Sequence, residues 1–147
     1  MDNTELEILL IEDSDLDAEI TIRGLRKSKI TNSIIHLSDG AEALDFLFGT
    51  GDYTGRNTAH KPKLILLDLK MPKIDGIEVL EKIKANAETK TIPVVILTSS
   101  NEHPDINKCY QLGANSYIVK PVGADNFMNA ISQSGMYWML INQPPTL

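Results

Sequence analysis

Four short, uninterrupted apolar runs do most to limit how this chain can fold. They are Ile8–Ile11, Leu64–Leu67, residues 94–97 and the weaker run 117–119, and residues 33–37 form a shorter fifth candidate. The four runs do not alternate between apolar and polar residues, as the strands of a half-exposed sheet do. Each is therefore expected to be a strand covered on both faces, which is typical of a parallel sheet.

Between these runs the apolar spacing becomes helical. Apolar residues recur three or four positions apart in five segments: Ala18, Ile22 and Leu25; Leu44, Leu47 and Phe48; Leu80, Ile83 and Ala87; Ile106, Cys109 and Tyr110; and Phe127, Ala130, Ile131 and Trp138. Asp39 and Asp75 are suited to cap the second and third helices, and Gly113 to end the fourth. Strict alternation of strands and helices predicts an α/β fold, a doubly wound (βα)5 three-layer sandwich with a central five-stranded parallel sheet.

The 147 residues fit one domain, so we treat residues 1–147 as a single unit. Residues 49–61 are rich in Gly, Thr and Asn without periodicity and predict an extended surface loop. Residues 135–147 form an apolar C-terminal extension. Its run 137–141 is apolar all round a helix, so part of it should be exposed and available for self-association or a partner.

Charge and composition exclude several classes of protein. The chain has 14 Lys and Arg against 20 Asp and Glu, a net charge of −6, and no basic block that would follow nucleic-acid phosphates. Its single cysteine, Cys109, excludes an internal disulfide and fits a reducing compartment. The acidic N-terminus does not resemble a signal peptide, and no apolar stretch approaches the roughly 18 residues of a membrane span. We therefore expect a cytoplasmic protein that binds neither nucleic acid nor membranes.

Charged and hydroxyl residues stand at the ends of four predicted strands. Glu12 and Asp13 follow the first, Asp68 the third, Thr98 the fourth and Lys120 the fifth. Strand ends of a parallel sheet meet at one edge, where three carboxylates repel one another unless a cation such as Mg²⁺ lies among them. That cation and a lysine would attract an anionic group, and a carboxylate there can attack phosphorus to form an acyl phosphate. Asp68 is the best candidate, because its strand lies near the middle of the sheet.

Four motifs together resemble the receiver domain of two-component response regulators: residues 11–13, 68–76, 97–100 and 113–122. The resemblance implies that Asp68 accepts a phosphoryl group from a phosphohistidine of a sensor histidine kinase. It also implies a Mg²⁺ ion held by the side chains of Asp13 and Asp68, by Glu12 through water, and by the backbone carbonyl of Lys70.

The same resemblance implies how a signal would leave the domain. Thr98 would turn towards the phosphoryl group, Lys120 would pair with one of its oxygens, and Tyr117 would rotate inward with Thr98. This switch would act on the face of the fourth helix, fifth strand and fifth helix. The peptide bond before Pro121 would be cis.

A long gap between Asp13 and Asp68 and the apolar C-terminus resemble the stand-alone response regulators that serve bacterial phytochromes, especially cyanobacterial ones. This narrower resemblance suggests a phytochrome as the kinase. We also expect a homodimer through the switch face and the apolar C-terminal segment. Too few residues follow the last helix for an output domain, so the output is expected to be protein–protein contact.

Three other functions use related folds or the same fold without phosphorylation. A Mg²⁺-dependent phosphohydrolase with an aspartyl-phosphate intermediate needs a second Asp where Lys70 stands, so we expect a phosphoacceptor and not an enzyme, apart from its own phosphorylation and slow autodephosphorylation. A flavodoxin-like cofactor carrier needs a phosphate-binding loop after the first strand, where residues 12–15 would repel phosphate. A phosphorylation-independent interaction module is the third alternative, and the complete set of acidic residues, Thr98 and Lys120 argues against it.

Overall fold

The computed structural model describes residues 7–121 and 123–141, in which strands and helices alternate along the chain. The strands are β1 (Ile8–Ile11), β2 (Ile34–Leu37), β3 (Leu64–Leu67), β4 (Val94–Thr98) and β5 (Ser116–Val119). The helices are α1 (Asp15–Lys27), α2 (Gly40–Phe48), α3 (Gly76–Ala85), α4 (His103–Leu112) and α5 (Ala124–Met136). All strand pairs are parallel, in the order β2-β1-β3-β4-β5, which confirms the predicted doubly wound sheet. The strand order reverses between β1 and β3, the place where such folds bind ligands.

Each central strand contributes side chains to both faces of the sheet. Leu9 and Ile11 of β1 pack into a cluster with α2, α3 and α4, whereas Ile8 and Leu10 pack into a second cluster with α1 and α5. Each of these two apolar clusters fills the interface between the sheet and one of the two helical layers. They explain why the central strands are continuously apolar, since neither face of β1, β3 or β4 is exposed to water.

The helix termini agree with most of the predicted signals. Asp39 and Asp75 cap α2 and α3 with their side chains, and Gly113 ends α4 in the left-handed region at φ 107°. Two assignments to apolar helix faces were wrong. Ala87 is exposed, because α3 ends at Ala85, and Tyr110 turns away from the core although its neighbour Cys109 is fully buried.

The segment 49–61 is more ordered than the extended loop that its composition predicts. A short 3-10 turn, Gly51–Tyr53, follows α2 directly. The Arg56 guanidinium lies 3.8 Å from the centre of the Phe46 ring and donates a hydrogen bond of 2.9 Å to the Phe46 carbonyl. This stacking holds the middle of the segment against α2.

The helix α5 continues into a π-helical turn, Tyr137–Ile141. Trp138 and Met139 pack against the cluster beneath α1 and α5, whereas Tyr137 is exposed. The apolar run is thus partly covered and partly exposed, as expected, and residues 142–147 of the predicted extension lie outside the described residues. No helix in the described part of the chain is both long and apolar enough to cross a membrane.

Candidate functional site

Backbone hydrogen bonds align the residues that follow the strands at one edge of the sheet. The Glu12 N–H donates to the Leu37 carbonyl at 3.0 Å, and the Asp68 N–H donates to the Ile11 carbonyl at 3.0 Å. The Lys120 N–H donates to the carbonyl of Thr98 at 2.7 Å. The sheet therefore brings together the side chains of these strand ends, as the sequence predicts, and Thr98 is itself the last residue of β4.

Three carboxylates meet at this edge. One oxygen each from Glu12, Asp13 and Asp68 lies within 4.8 Å of the others, with Glu12 and Asp68 buried and Asp13 exposed. The Lys70 side chain is exposed, and its backbone N–H donates to Asp68 Oδ1 at 3.3 Å. Clustered carboxylate oxygens that remain partly open to solvent suit a hard divalent cation, which retains some of its water ligands.

The β3–α3 turn presses closely on the backbone of Asp68. Gly76 begins α3, its N–H donates to the Leu69 carbonyl at 2.8 Å, and a Cβ atom at this position would collide with the Asp68 carbonyl. A glycine is therefore needed for the helix to start here. The turn fixes the backbone from which the Asp68 carboxylate projects.

The Lys120 ammonium lies among the carboxylates. Its Nζ donates to Glu12 Oε1 at 2.7 Å, to Asp17 Oδ2 at 2.7 Å and to Asp68 Oδ2 at 3.2 Å, which occupies all three N–H groups. Burial by itself lowers the pKa of Lys120, but hydrogen bonds to Asp17 and Glu12 and the charge of Asp68 raise that pKa above its usual value. The lysine therefore stays charged throughout the physiological range.

The pKa of Glu12 is raised from 4.5 to about 8, mainly by burial and also by the neighbouring Asp68, while Lys120 opposes the increase. The positive charge of one lysine therefore does not balance the negative charges of the carboxylates around it. A divalent cation near these oxygens would favour the ionised form of Glu12. The residues present thus fit a cation in both donor chemistry and charge.

The two predicted switch residues contact the same residue of the β4–α4 loop. Thr98 is fully buried, and its Oγ1 accepts a hydrogen bond of 3.4 Å from the Ser100 N–H. The Tyr117 hydroxyl donates to the Ser100 carbonyl at 2.8 Å, and the Ser100 hydroxyl donates to Asp105 Oδ2 at 2.5 Å. Sequence reasoning identified Thr98 and Tyr117 but assigned no role to Ser100 or Asp105.

The prediction of a cis peptide bond before Pro121 is wrong. The described residues contain no cis peptide bond, so the bond between Lys120 and Pro121 is trans. The trans isomer is intrinsically preferred even before proline. Because Lys120 already reaches Asp68 with this isomer, the cis form is not required to bring the ammonium to the site.

Sequence reasoning also missed Asp17, which contacts Lys120 at the site. It is the third residue of α1, and its carboxylate lies as close to the Lys120 ammonium as the carboxylate of Glu12 does. Its spacing from Ser14 matches a helix-capping pattern, which offers an ordinary structural explanation for an acid at this position. Only the fold shows that the side chain reaches Lys120, which follows β5 and lies more than one hundred residues away.

Comparison with known proteins agrees with this geometry. The response regulator receiver domain family matches residues 8–132. Response regulator Rcp1 of Synechocystis is 39% identical over 132 residues, which cover 90% of this chain and 88% of Rcp1. The probable methanogenesis regulatory protein FilR2 of Methanothrix harundinacea is 36% identical over 138 residues, covering 94% of this chain and 86% of FilR2.

Solved structures show the same relationship. The phosphorylated cyanobacterial phytochrome response regulator RcpA has a TM-score of 0.88 at 33% identity, covering 97% of this chain and 99% of RcpA. The Mn²⁺-bound form of Rcp1 also has a TM-score of 0.88, at 37% identity, covering 96% of this chain and 99% of Rcp1. Fold, site and sequence relationship agree, and the chain belongs to the response regulator receiver domain family of signalling proteins.

Proposed function

We propose that this chain accepts a phosphoryl group on Asp68 from a phosphohistidine of a sensor histidine kinase and passes the signal on by protein–protein contact. One observation carries the proposal: the Asp68 carboxylate ends the central strand β3, lies among two further carboxylates and is 3.2 Å from the Lys120 ammonium. The relative RcpA, whose structure is of a phosphorylated form, supports it.

The site contains the groups that this transfer needs. An Asp68 oxygen attacks phosphorus to form an O–P bond, the P–N bond to the donor histidine breaks, and its electron pair stays on the imidazole nitrogen. Lys120 compensates charge on the phosphoryl oxygens, and the hydroxyl of Thr98 donates a hydrogen bond to one of them. Neither residue needs to gain or lose a proton, so both act by orientation and charge.

We propose Mg²⁺ as the cation of this site. The side chains of Asp13 and Asp68, Glu12 through water, and the carbonyl of Lys70 would hold it, and the cluster of carboxylate oxygens supports an oxygen-preferring ion. The Mn²⁺-bound structure of Rcp1 supports a divalent cation at such a site. When bound, the cation supplies positive charge to the phosphoryl oxygens.

The contacts of Thr98 and Tyr117 suggest how phosphorylation changes the surface. A phosphoryl oxygen that accepts a hydrogen bond from the Thr98 hydroxyl would draw this side chain away from the Ser100 N–H, from which its Oγ1 accepts at 3.4 Å. Tyr117 donates a hydrogen bond to the carbonyl of that same Ser100. The β4–α4 loop would then shift on the face formed by α4, β5 and α5, which we propose as the surface for a target or a second copy of the chain.

The relatives suggest which proteins use this switch. RcpA is described as a phytochrome response regulator, so we propose a bacterial phytochrome as one class of cognate kinase. The chain covers 99% of RcpA, which supports a single receiver unit, residues 1–147, acting through its own surface. The net charge of −6 supports an absence of nucleic-acid and membrane contacts. A histidine kinase with a cytoplasmic transmitter would place the chain in the cytoplasm.

The decisive experiment replaces the phosphoacceptor and a matched acid. Asp68→Asn should abolish uptake of a phosphoryl group from acetyl phosphate or a purified histidine kinase, measured by intact-protein mass spectrometry. Asp75→Asn is the control, because asparagine caps α3 as well as aspartate does and Asp75 lies on the same connection. Equal labelling of the parent and Asp68→Asn would contradict the proposal.

A further inference from the structure

The side chain of Asp17 does not make the helix-capping hydrogen bond that its position in α1 would predict. Ser14 caps the helix, and its Oγ accepts a 3.2 Å hydrogen bond from the Asp17 N–H. In a capping box the acid at this position reaches back to the N–H of the cap residue. Here the Ser14 N–H donates to Glu12 Oε2 at 3.3 Å. The Asp17 carboxylate instead reaches across to Lys120.

Asp17 and Glu12 hold the lysine more closely than the phosphoacceptor does. The two Nζ–oxygen distances are 2.7 Å each, against 3.2 Å to Asp68. Because an ammonium group has three N–H donors, a phosphoryl oxygen can bind Lys120 only by replacing one of these acceptors. The three carboxylates and an incoming phosphoryl group therefore compete for the hydrogen bonds of Lys120.

Exposure distinguishes the three acceptors. About 30% of the Asp17 side chain is exposed, whereas 2% of Glu12 and 8% of Asp68 are exposed. A carboxylate that can turn into water loses little when its partner leaves, but a buried carboxylate would stay unpaired at a high cost. Of the two acceptors at 2.7 Å, Asp17 is therefore the one that gives up the lysine more readily.

We propose that Asp17 is a positioning residue that competes with the phosphoryl group for Lys120 and thereby limits how strongly Asp68 retains that group. The inference rests on the proposed phosphorylation of Asp68, and it assigns to Asp17 an influence on how much of the protein stays phosphorylated. Removing the Asp17 charge weakens the competing bond, because an amide oxygen holds an ammonium less strongly than a carboxylate does. It also removes one negative charge from the surroundings of an anionic group.

Binding of beryllofluoride, a mimic of the phosphoryl group, tests this competition in the presence of saturating Mg²⁺. Asp17→Asn should increase the affinity for beryllofluoride about tenfold, the factor that corresponds to one charge-assisted hydrogen bond. Asp15→Asn is the matched control, since Asp15 is exposed and lies in the same first turn of α1. That change should alter the affinity by less than about twofold, as expected for an exposed charge. Asp17→Glu should restore parental affinity to within about threefold, because it keeps the carboxylate.

A second measurement needs neither cation nor anion. In chelator-treated protein, the side-chain NMR signal of the Lys120 ammonium should exchange its protons with water faster in Asp17→Asn than in the parent. Asp15→Asn should leave the exchange rate unchanged. A purely structural role of Asp17 would lower the melting temperature without this selective change. Asp17→Ser provides a second neutral variant if Asp17→Asn fails to fold.

The possible results separate the two proposals. If the parent binds beryllofluoride and Asp68→Asn does not, but Asp17→Asn behaves like Asp15→Asn or binds more weakly than the parent, the role of Asp17 is refuted and the phosphoacceptor stands. If the parent binds no better than Asp68→Asn, both proposals fail. A selective gain in affinity for Asp17→Asn, with faster exchange at Lys120, supports the competition.

Discussion

Glu12 is a buried carboxyl group whose negative charge is opposed by its surroundings. Its pKa is raised from 4.5 to about 8, first by burial and then by Asp68. The folded protein therefore holds this proton more tightly than the unfolded chain does. The resulting stabilisation is fully present below pH 4.5 and is lost as the pH rises through about 8.

We expect the metal-free protein to become less stable as the pH rises from about 5 to about 8, and the full pKa change sets an upper bound of about 5 kcal/mol on this loss. For a domain of this size, that bound corresponds to a fall in melting temperature of about 10 to 20 °C. Glu12→Gln should flatten this slope, whereas Glu81→Gln, an exposed acid on α3, should keep it. Addition of Mg²⁺ should recover most of the loss at the higher pH. Thermal unfolding followed by circular dichroism measures each case, and a slope unchanged by Glu12→Gln would exclude this explanation.

The site residues show what a sequence can and cannot reveal about chemistry. Glu12, Asp13, Asp68, Thr98 and Lys120 were predicted because each stands at a strand end, and strand ends converge in any parallel sheet. Asp17 was missed because its position also suits helix capping, and only the path of the Lys120 side chain shows its contact.

At the scale of single elements, the end of α1 carries an unfavourable backbone conformation. Lys29 lies in the left-handed region at φ 60°. Its N–H donates to the Arg26 carbonyl at 2.9 Å, and the Ile30 N–H donates to the Leu25 carbonyl at 3.2 Å, which together form a Schellman motif. Leu25 and Ile30, the apolar pair of that motif, are both buried. The motif prefers glycine where this chain has lysine.

Lys29→Gly should therefore stabilise the protein by about 0.5 to 1 kcal/mol, because glycine adopts a positive φ without a steric penalty. Lys29→Ala is the matched control, since it removes the same charge but keeps a Cβ atom. Urea denaturation gives the difference in the free energy of unfolding between the two variants. The expectation is wrong if the glycine variant is no more stable than the alanine variant.

Helices and strands were predicted well where burial sets the spacing of apolar residues. Segments whose structure depends on contacts between residues far apart in the sequence were predicted less well. The central strands β1 and β3 were identified because both of their faces are covered, so every position in them is apolar. Tyr110 was assigned to the buried face of α4 from its spacing, although its hydroxyl can remain in water while its ring covers the surface. The order in residues 49–61 depends on Arg56 stacking on Phe46, a contact that no local pattern reveals.

At the scale of the whole molecule, two large apolar side chains remain exposed on the proposed output surface. Tyr110 of α4 is 51% exposed and Val119 of β5 is 39% exposed. Strand β5 is an edge strand of the sheet, and α4 packs beside it. Exposed aromatic and branched side chains grouped on neighbouring elements are typical of a protein-binding surface.

We expect this surface to form a homodimer whose strength depends on the state of Asp68. Because Thr98 and Tyr117 are both bonded to Ser100 beside α4, a phosphoryl mimic at Asp68 should change this surface and strengthen association. Sedimentation velocity over a range of concentrations, with and without Mg²⁺ and beryllofluoride, gives the dimer dissociation constant. Tyr110→Ser should weaken dimerisation about tenfold or more, as loss of a central aromatic contact does.

Leu16→Ser separates this specific surface from general apolar exposure. Leu16 is 65% exposed, but it lies on α1, which packs on the face of the sheet opposite to α4. Its replacement should leave the dissociation constant unchanged, because the side chain belongs to a different face. Equal weakening by Leu16→Ser and Tyr110→Ser would mean that association is non-specific. A parent that stays monomeric with bound beryllofluoride would instead leave the α4 and β5 face to a different protein partner, because those side chains remain exposed in the single chain.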